Sequence, residues 1–516
     1  MKNFILLLAL SAMLSAPDFE SAVLFLSGAS SIEGLDESTL QHYRDLSFHP
    51  IDLNAAGRSR LLASGLLNAF QVASLIDCRE RSGDILSYTE LGLIDGFSPE
   101  YAEALRLFTT LGSGRPPGES RRKSVHHDIQ IRASARENDG YAFAAGLRYK
   151  ATIANTAELN WASRTTYTDK TIRPGTFSGA WYGRRRLGKL VLGHFNARFG
   201  QGLAQWSGFS VSRFGSVGGF RRNGSGFTST SSFTPEFFGL AADFDLGRWN
   251  LAAAYSITGN HPMAYASYTG KVFSAGAFAS DKSVSAEFKL GLKNTAIFGE
   301  ATWKGSAEFL AGMIRTPSYG TRYGLLVAWE KGSPVAAAGI ALKAFEGVVS
   351  AEGKQIRTSM KYAPELTVGA FTLKPAIRLG IKRKDALRLE SRCEFGIGTG
   401  PFVLNSRLDI VHCKGLSWLG YLESGCDSGP IKVWLRGTLF CVDNWDDRIY
   451  VYERDAPGSF NVPAYYGRGW NCSLTGAFRI GRRQVIYLRA LYQRYPWMTV
   501  QKASKTEVKL QYVLKI

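Results

Sequence analysis

The chain has only one long apolar run, Phe4–Leu14. It is too short to cross a bilayer as a helix, which takes about 20 residues. With an otherwise ordinary polar content, this excludes a helical membrane protein. Cysteine is scarce. Six residues (Cys78, Cys393, Cys413, Cys426, Cys441 and Cys472) are too few for a disulfide scaffold in a chain of this length. Cys413 and Cys426 could close a short loop in an exported protein; the blander reading is small apolar strand residues. Catalytic signatures are missing: there is no Gly-x-Ser-x-Gly elbow, no His-Glu-x-x-His and no P-loop. The seven histidines (His42, His49, His126, His127, His194, His261, His412) show no metal-ligand spacing, so no metal or cofactor is implied. An enzyme would need a Ser and a His to meet across strands, which keeps a barrel-embedded enzyme only as a remote alternative.

A two-residue rhythm runs from about His126 to the C-terminus. In Thr506–Ile516, Val508, Leu510, Tyr512, Leu514 and Ile516 fall on one side, and Lys509, Gln511 and Lys515 on the other, with Val513 the exception. The same alternation recurs in Val284–Leu292, in Leu387–Ile397 and in Phe238–Leu246. Successive side chains of a strand point to opposite faces, so each segment has one greasy face and one wet face. Strands of about ten residues suit a tilted crossing of a bilayer. The tract therefore predicts a mainly β fold, a large antiparallel transmembrane β-barrel over 126–516 with roughly 16 to 20 strands. Leu187-Gly188-Lys189 and Leu246-Gly247-Arg248 read as tight turns, and Gly396-x-Gly398-x-Gly400 as another before Pro401. The connection Trp206–Glu236, rich in Gly, Ser and Phe and carrying Arg213, Arg221 and Arg222, either folds into the lumen or stays a surface loop.

Lys2 followed by the apolar run and by Ser15-Ala16 reads as a secretory signal peptide over 1–16, with an uncertain cleavage point. A segment 17–49 follows, in which a short helix is expected around Asp36–Leu46. A small all-α block occupies 50–111. There Asp52 or Asn54 caps a helix through Ala55–Ala63, and a second helix, Phe70–Arg81, buries Val72, Leu75 and Ile76. Ser87 and Glu90 form a capping box, and Ser98 caps a last helix with Pro99 at its first position. A Gly/Pro linker, 112–125, leads through Arg121-Arg122-Lys123 to the barrel.

Charge is divided along the chain. Residues 1–112 hold seven Lys/Arg against fourteen Asp/Glu, a net of −7, so the remainder carries +26. An acidic front module precedes a strongly basic barrel.

The residues Pro50-Ile51-Asp52-Leu53-Asn54-Ala55-Ala56, Ile76-Asp77-Cys78-Arg79-Glu80-Arg81-Ser82-Gly83 and Leu91-Gly92-Leu93-Ile94-Asp95-Gly96-Phe97 resemble the tandem helix-hairpin-helix domain of bacterial competence DNA receptors. Such a domain before a barrel also resembles a group of poorly characterised Gram-negative outer-membrane proteins. In that group Leu192-Gly193-His194-Phe195…Arg198-Phe199-Gly200-Gln201-Gly202-Leu203 is similar to a recurring motif. The resemblance implies that both hairpins (Gly65, Leu66, Leu67 and Gly96, Phe97, Ser98) offer backbone amides to phosphate. The residues themselves oppose this. Leu67 and Ser98 stand where a second glycine is usual, and Pro50–Gly112 has five Arg and no Lys against eight Asp/Glu. The basic barrel offers other cations on its polar face: Lys289, Arg388, Arg392, Arg407 and Arg489 would line a lumen. Glu287, Glu390, Glu394 and Asp409 share that face and could pair with them. Arg184-Arg185-Arg186 could meet lipopolysaccharide at a rim. The expectation is an outer-membrane pore or scaffold whose periplasmic module docks a periplasmic protein or covers the pore. A DNA-binding or DNA-uptake component is the alternative.

Overall fold

The structure, a computed structural model, describes residues 19–112 and 125–516 apart from 139, 154–155, 173–174, 184–185, 209–212, 293, 317–319, 460 and 499–503. The expected signal peptide, nearly all of the expected linker with Arg121-Arg122-Lys123, and Arg184 and Arg185 lie outside the described residues.

Alternation of side chains dictates the main architecture. In Val284–Leu292 the burial order is reversed from that of a soluble sheet: Val284, Ala286, Phe288 and Leu292 are exposed, while Ser285 and Glu287 are buried. The same inversion runs through Ile431–Val442, where Leu435 and Leu439 are exposed and Arg436 and Thr438 buried. A sheet that hides its polar face and bares its apolar one must close on itself, with hydrocarbon outside. It does so here. Among the described residues 24 strands, from Val125–Glu137 to Lys505–Lys515, form one closed antiparallel barrel. The first and last strands join through Ile131↔Tyr512 and Ala133↔Leu510.

The count exceeds the 16 to 20 strands expected from sequence. Individual strands are as short as Thr176–Tyr182, and many connections are tight, as at 247–248, 331–332 and 353–354, so each crossing uses less chain than supposed. Two turn assignments also change. Leu187-Gly188-Lys189 opens the strand Leu187–Arg198, and Lys189 is buried against Asp243 at 2.8 Å. Gly396 and Gly398 lie within Leu387–Thr399, and the turn comes at Gly400 with φ +54°. All six cysteines are free, so Cys413 and Cys426 close no loop.

Connections on the two rims differ. On the rim where the first barrel strand starts and the last ends, none is longer than 363–370; on the other lie 199–236 and 443–466.

The front block folds as helices Phe19–Ser27, Glu37–Phe48, Arg58–Ala63, Ala69–Ser82, Tyr88–Leu91 and Pro99–Leu105. Their shared core buries Val23, Leu61, Val72, Leu75, Leu91, Leu105 and Phe108 completely. The first of these helices is absent from the sequence reading, because 17–49 shows no clear periodicity apart from the short helix around Asp36–Leu46. Asn68 caps the long helix in a full capping box with Gln71, and Ser98 accepts from the Tyr101 amide. Asp52 and Asn54 cap no helix. Gly57 stands at that N-cap, Asp52 accepts from the Asn54 amide, and the Asn54 side chain bridges to both backbone groups of Ile85. Likewise Glu90 reaches the Leu86 amide and not that of Ser87.

An arginine placed on the lipid face should be costly. Replacing Leu435, near the middle of its strand and 49% exposed, by Arg is expected to lower folding stability in lipid vesicles by about 2–4 kcal/mol, read by denaturant titration.

Candidate functional site

The wide ring is filled by three segments of its own chain: the helical block and the connections 199–236 and 443–466. The block is tied to the wall around its circumference. Its 3₁₀ turn Ile32–Gly34 puts Glu33 between two barrel strands, 2.6 Å from Arg407 and 3.7 Å from Arg392. The carbonyl of Ser30 accepts from Arg378 beside them. On another part of the wall Asp45 meets Lys150 at 3.1 Å, Arg60 meets Glu158 at 3.0 Å, and His49 meets Asp128. Farther round, Ser59 donates to Asp245 at 2.7 Å and Arg58 to the carbonyl of Gly247 and to Thr269. Gly247 and Gly183, against which Gly57 packs, belong to the rim of short turns, so the block enters the barrel from that side.

Burial alone would push the Glu33 carboxyl up. Arg392 and Arg407 outweigh that and hold it well below the usual carboxylate range. His42 differs: burial holds its imidazole below the ordinary value, and Nε2–H donates to the Ser64 carbonyl at 2.7 Å.

The connection 199–236 folds inward. The turn Gly200–Ala204 wraps a carboxylate of the wall: the amides of Gln201, Leu203 and Ala204 donate to Glu300 at 2.6, 3.2 and 3.2 Å. Gly200 and Gly202 take φ of +60° and +83°, and a Cβ on Gly200 would collide with that carboxylate, so glycine is required there. Beyond it Val217 donates to Glu346 at 2.9 Å, and Phe220 is buried against Leu310 and Leu326. From the other side, 443–466 sets Glu453 against Arg489 and Tyr465, and Asp455 at 2.7 Å from Lys509. It meets the block where Arg44 donates to Tyr452 at 2.9 Å and the Tyr452 amide to Glu33 at 3.3 Å.

All five cations expected to line the lumen point inward, and each is held by a carboxylate. Lys289 pairs with Glu287 (2.9 Å), Arg388 with Glu390 (2.6 Å), Arg392 with Asp409 (2.8 Å), Arg407 with Asp409 (2.5 Å) and Arg489 with Glu507 (2.9 Å). Of the hairpin residues, Gly96 is exposed, while others are enclosed. Gly65 and Gly96 have φ of +66° and +88°, but Leu66, Leu67 and Phe97 are buried, and Ser98 is occupied as a cap. Glu33, Asp45, Glu158 and Glu300 were not singled out from sequence. Their only advance signal was the charge division between block and barrel.

A cavity of about 470 Å³ lies between the block, the strands 141–198 and the segment 225–236. Acidic and basic groups face it in mixture, among them Asp45, Lys150, Glu158 and Arg148. Among the described residues no group of three His, Cys, Asp or Glu is placed to hold a metal ion.

No protein-family model matches the chain, and no curated protein matches it. Solved structures similar to it include the outer membrane protein OpdK of Pseudomonas aeruginosa (10% identity, 76% of this chain and 99% of that one, TM-score 0.32). OccK3 (OpdO) of the same organism matches at 13% identity over 76% and 95% of the two chains, TM-score 0.31. OccAB2 of Acinetobacter baumannii matches at 7% over 76% and 98%, TM-score 0.31.

Breaking a buried pair strands its partner, which costs about 3–5 kcal/mol. Glu33→Gln is therefore expected to loosen the block and speed proteolysis at 19–112 while the barrel stays intact. The pH response follows from the two depressed groups. A neutral buried His42 stabilises docking at pH 7, and that contribution fades as pH falls below about 6.5, the ordinary imidazole value. Glu33 contributes above the ordinary carboxylate range and fails only as pH drops through its depressed folded value. Proteolysis of the block should thus accelerate between pH 7 and 5, and His42→Asn should flatten that step.

Proposed function

We propose that the chain is an outer-membrane barrel whose helical block, a tandem helix-hairpin-helix module, serves as a removable plug for a gated passage. One observation carries this: the module is tied to the inner wall at several separate points through polar and ionic contacts, with Glu33 against Arg407 and Arg392, Asp45 against Lys150, Arg60 against Glu158 and Ser59 against Asp245. Exposed residues such as Phe288, Leu435 and Leu439 supply the surface a bilayer requires. Short turns on one rim and long connections on the other match the usual periplasmic and outer sides of such barrels. The module then enters from the periplasm, and lipopolysaccharide meets the rim of long connections.

The module leaves part of itself uncovered. Leu86 and Leu93 are 73% and 80% exposed, next to the exposed stretch Glu80–Asp84. That face is where a periplasmic protein would dock to draw the plug. The first hairpin faces the connection 199–236, and the block carries five Arg and no Lys against eight Asp/Glu over Pro50–Gly112, which favours a gating role over DNA binding.

In planar bilayers the intact protein is expected to be closed or to flicker, whereas deletion of 19–112 should produce steady conductance. Glu33→Gln should raise the open fraction without changing the unit conductance of the open state. A deletion variant that remains silent, although correctly folded and inserted, would refute the plug.

A further inference from the structure

Where the module touches the inward-folded connection, guanidiniums collect around one small cavity. A small cavity of about 140 Å³ lies between the first hairpin, Ser64-Gly65, and the connection 199–236. Four guanidiniums face it, those of Arg198, Arg213, Arg221 and Arg222; the one carboxylate in its lining is Asp36. A second carboxylate, Glu330, holds Arg213 from outside at 2.5 Å. Glu236 and Glu300 act on Arg198 and Arg222 from outside the lining, so the cavity wall itself presents four guanidiniums to one carboxylate.

The guanidiniums are fixed as well as crowded. Arg198 and Arg222 lie over the same ring, Trp206, at 5.7 and 4.9 Å, and Arg198 Nε donates to the Ser207 carbonyl at 2.8 Å. Among the described residues the side chains of Arg221 and Arg222 have no hydrogen-bond acceptor. Arg213 keeps only one of its nitrogens engaged, and its Nε and Nη2 are buried with no partner. Burial and then the like charges of Arg213 and Arg198 hold Arg222 down to about 10. Buried donors and unpaired buried charges are each costly. A cluster that bears both is stable only when something with the complementary charge and acceptors enters it.

We infer that this cavity is a binding site for a small dianion of phosphate or sulfate size, clamped by Arg213, Arg221 and Arg222 at the junction of plug and inward-folded connection. The excess of guanidiniums over carboxylates in the lining favours an anion, and the volume sets its size. Guanidinium forks suit oxyanions, which accept two parallel hydrogen bonds from each. The inference does not depend on conduction; it holds equally for a barrel that never opens.

The test uses the full-length protein in detergent, with inorganic phosphate and then sulfate titrated at constant ionic strength against chloride. Calorimetric binding heat and a rise in unfolding temperature are expected with either dianion and not with chloride. The double variant Arg221→Gln/Arg222→Gln should weaken binding at least tenfold, and Arg482→Gln, an exposed turn residue, should leave it unchanged. Asp36→Asn removes the one competing carboxylate and should tighten binding severalfold. Equal heats for dianions and chloride would overturn the site. So would undiminished binding in a double variant that still shows heat-modifiable migration, or weakened binding in Asp36→Asn.

Discussion

A ring of 24 strands is wider than its own side chains can fill, and the rest of the structure answers that fact. Barrel diameter grows with strand number, and beyond about 16 strands the interior becomes a channel unless something occupies it. The inner wall here is lined with groups such as Arg407, Glu423, Arg436 and Arg489, all nearly inaccessible to solvent. They are enclosed because helices and two folded connections lie over them, and each charge finds its counter-charge within reach. Arg436 and Glu423 pair across strands at 2.5 Å, and Arg454 of the connection 443–466 adds a second bond to Glu423 at 2.9 Å. Wall and filling thus form one electrostatic network.

The division of charge follows from the same constraint. The module carries Glu20, Glu33 and Asp45 to barrel-side cations Arg454, Arg407 and Lys150, while contacts of the reverse sense are fewer, chiefly Arg60 with Glu158. An acidic plug in a basic sleeve is steered into register and held there without a large apolar interface. The excess left over, about Arg221 and Arg222, sits where plug and connection meet.

Much of the barrel could be read from residue identity alone. The alternation over Ser283–Lys293 is the strand Val284–Leu292 in the structure, and Ser98 with Pro99 begins a helix as its chemistry requires. Such features are local, fixed by side-chain alternation or by one capping bond. The number of strands was not legible, since it depends on how few residues a turn needs. Nor was the occupied lumen. A module that caps its helices and buries Leu75 and Phe108 in its own core has the sequence of any small soluble domain. Whether it lies inside the ring depends on pairs such as Glu33 with Arg407, hundreds of residues apart, which no periodicity records.

The filling segments differ in how they are held, and this separates the part that can move from the parts that cannot. The connection 199–236 places Leu203, Val217 and Phe220 in an apolar cluster with Leu310, Leu326 and Val348 of the wall, so pulling it out would expose greasy surface to water. The helical module keeps its hydrophobic core almost wholly to itself; among the described residues Ala63 is its one buried residue packed in a cluster with barrel residues. Its other ties are mostly ion pairs and hydrogen bonds, groups that water can satisfy again on release, with a few cation–π contacts such as Lys515 over Phe48. An interface of that composition resembles a transient contact between domains more than a core. Opening by withdrawal of the module is therefore the motion with the least loss of buried apolar surface. On the plug proposed above, the connection with its Glu300 anchor would stay in the lumen when the module leaves.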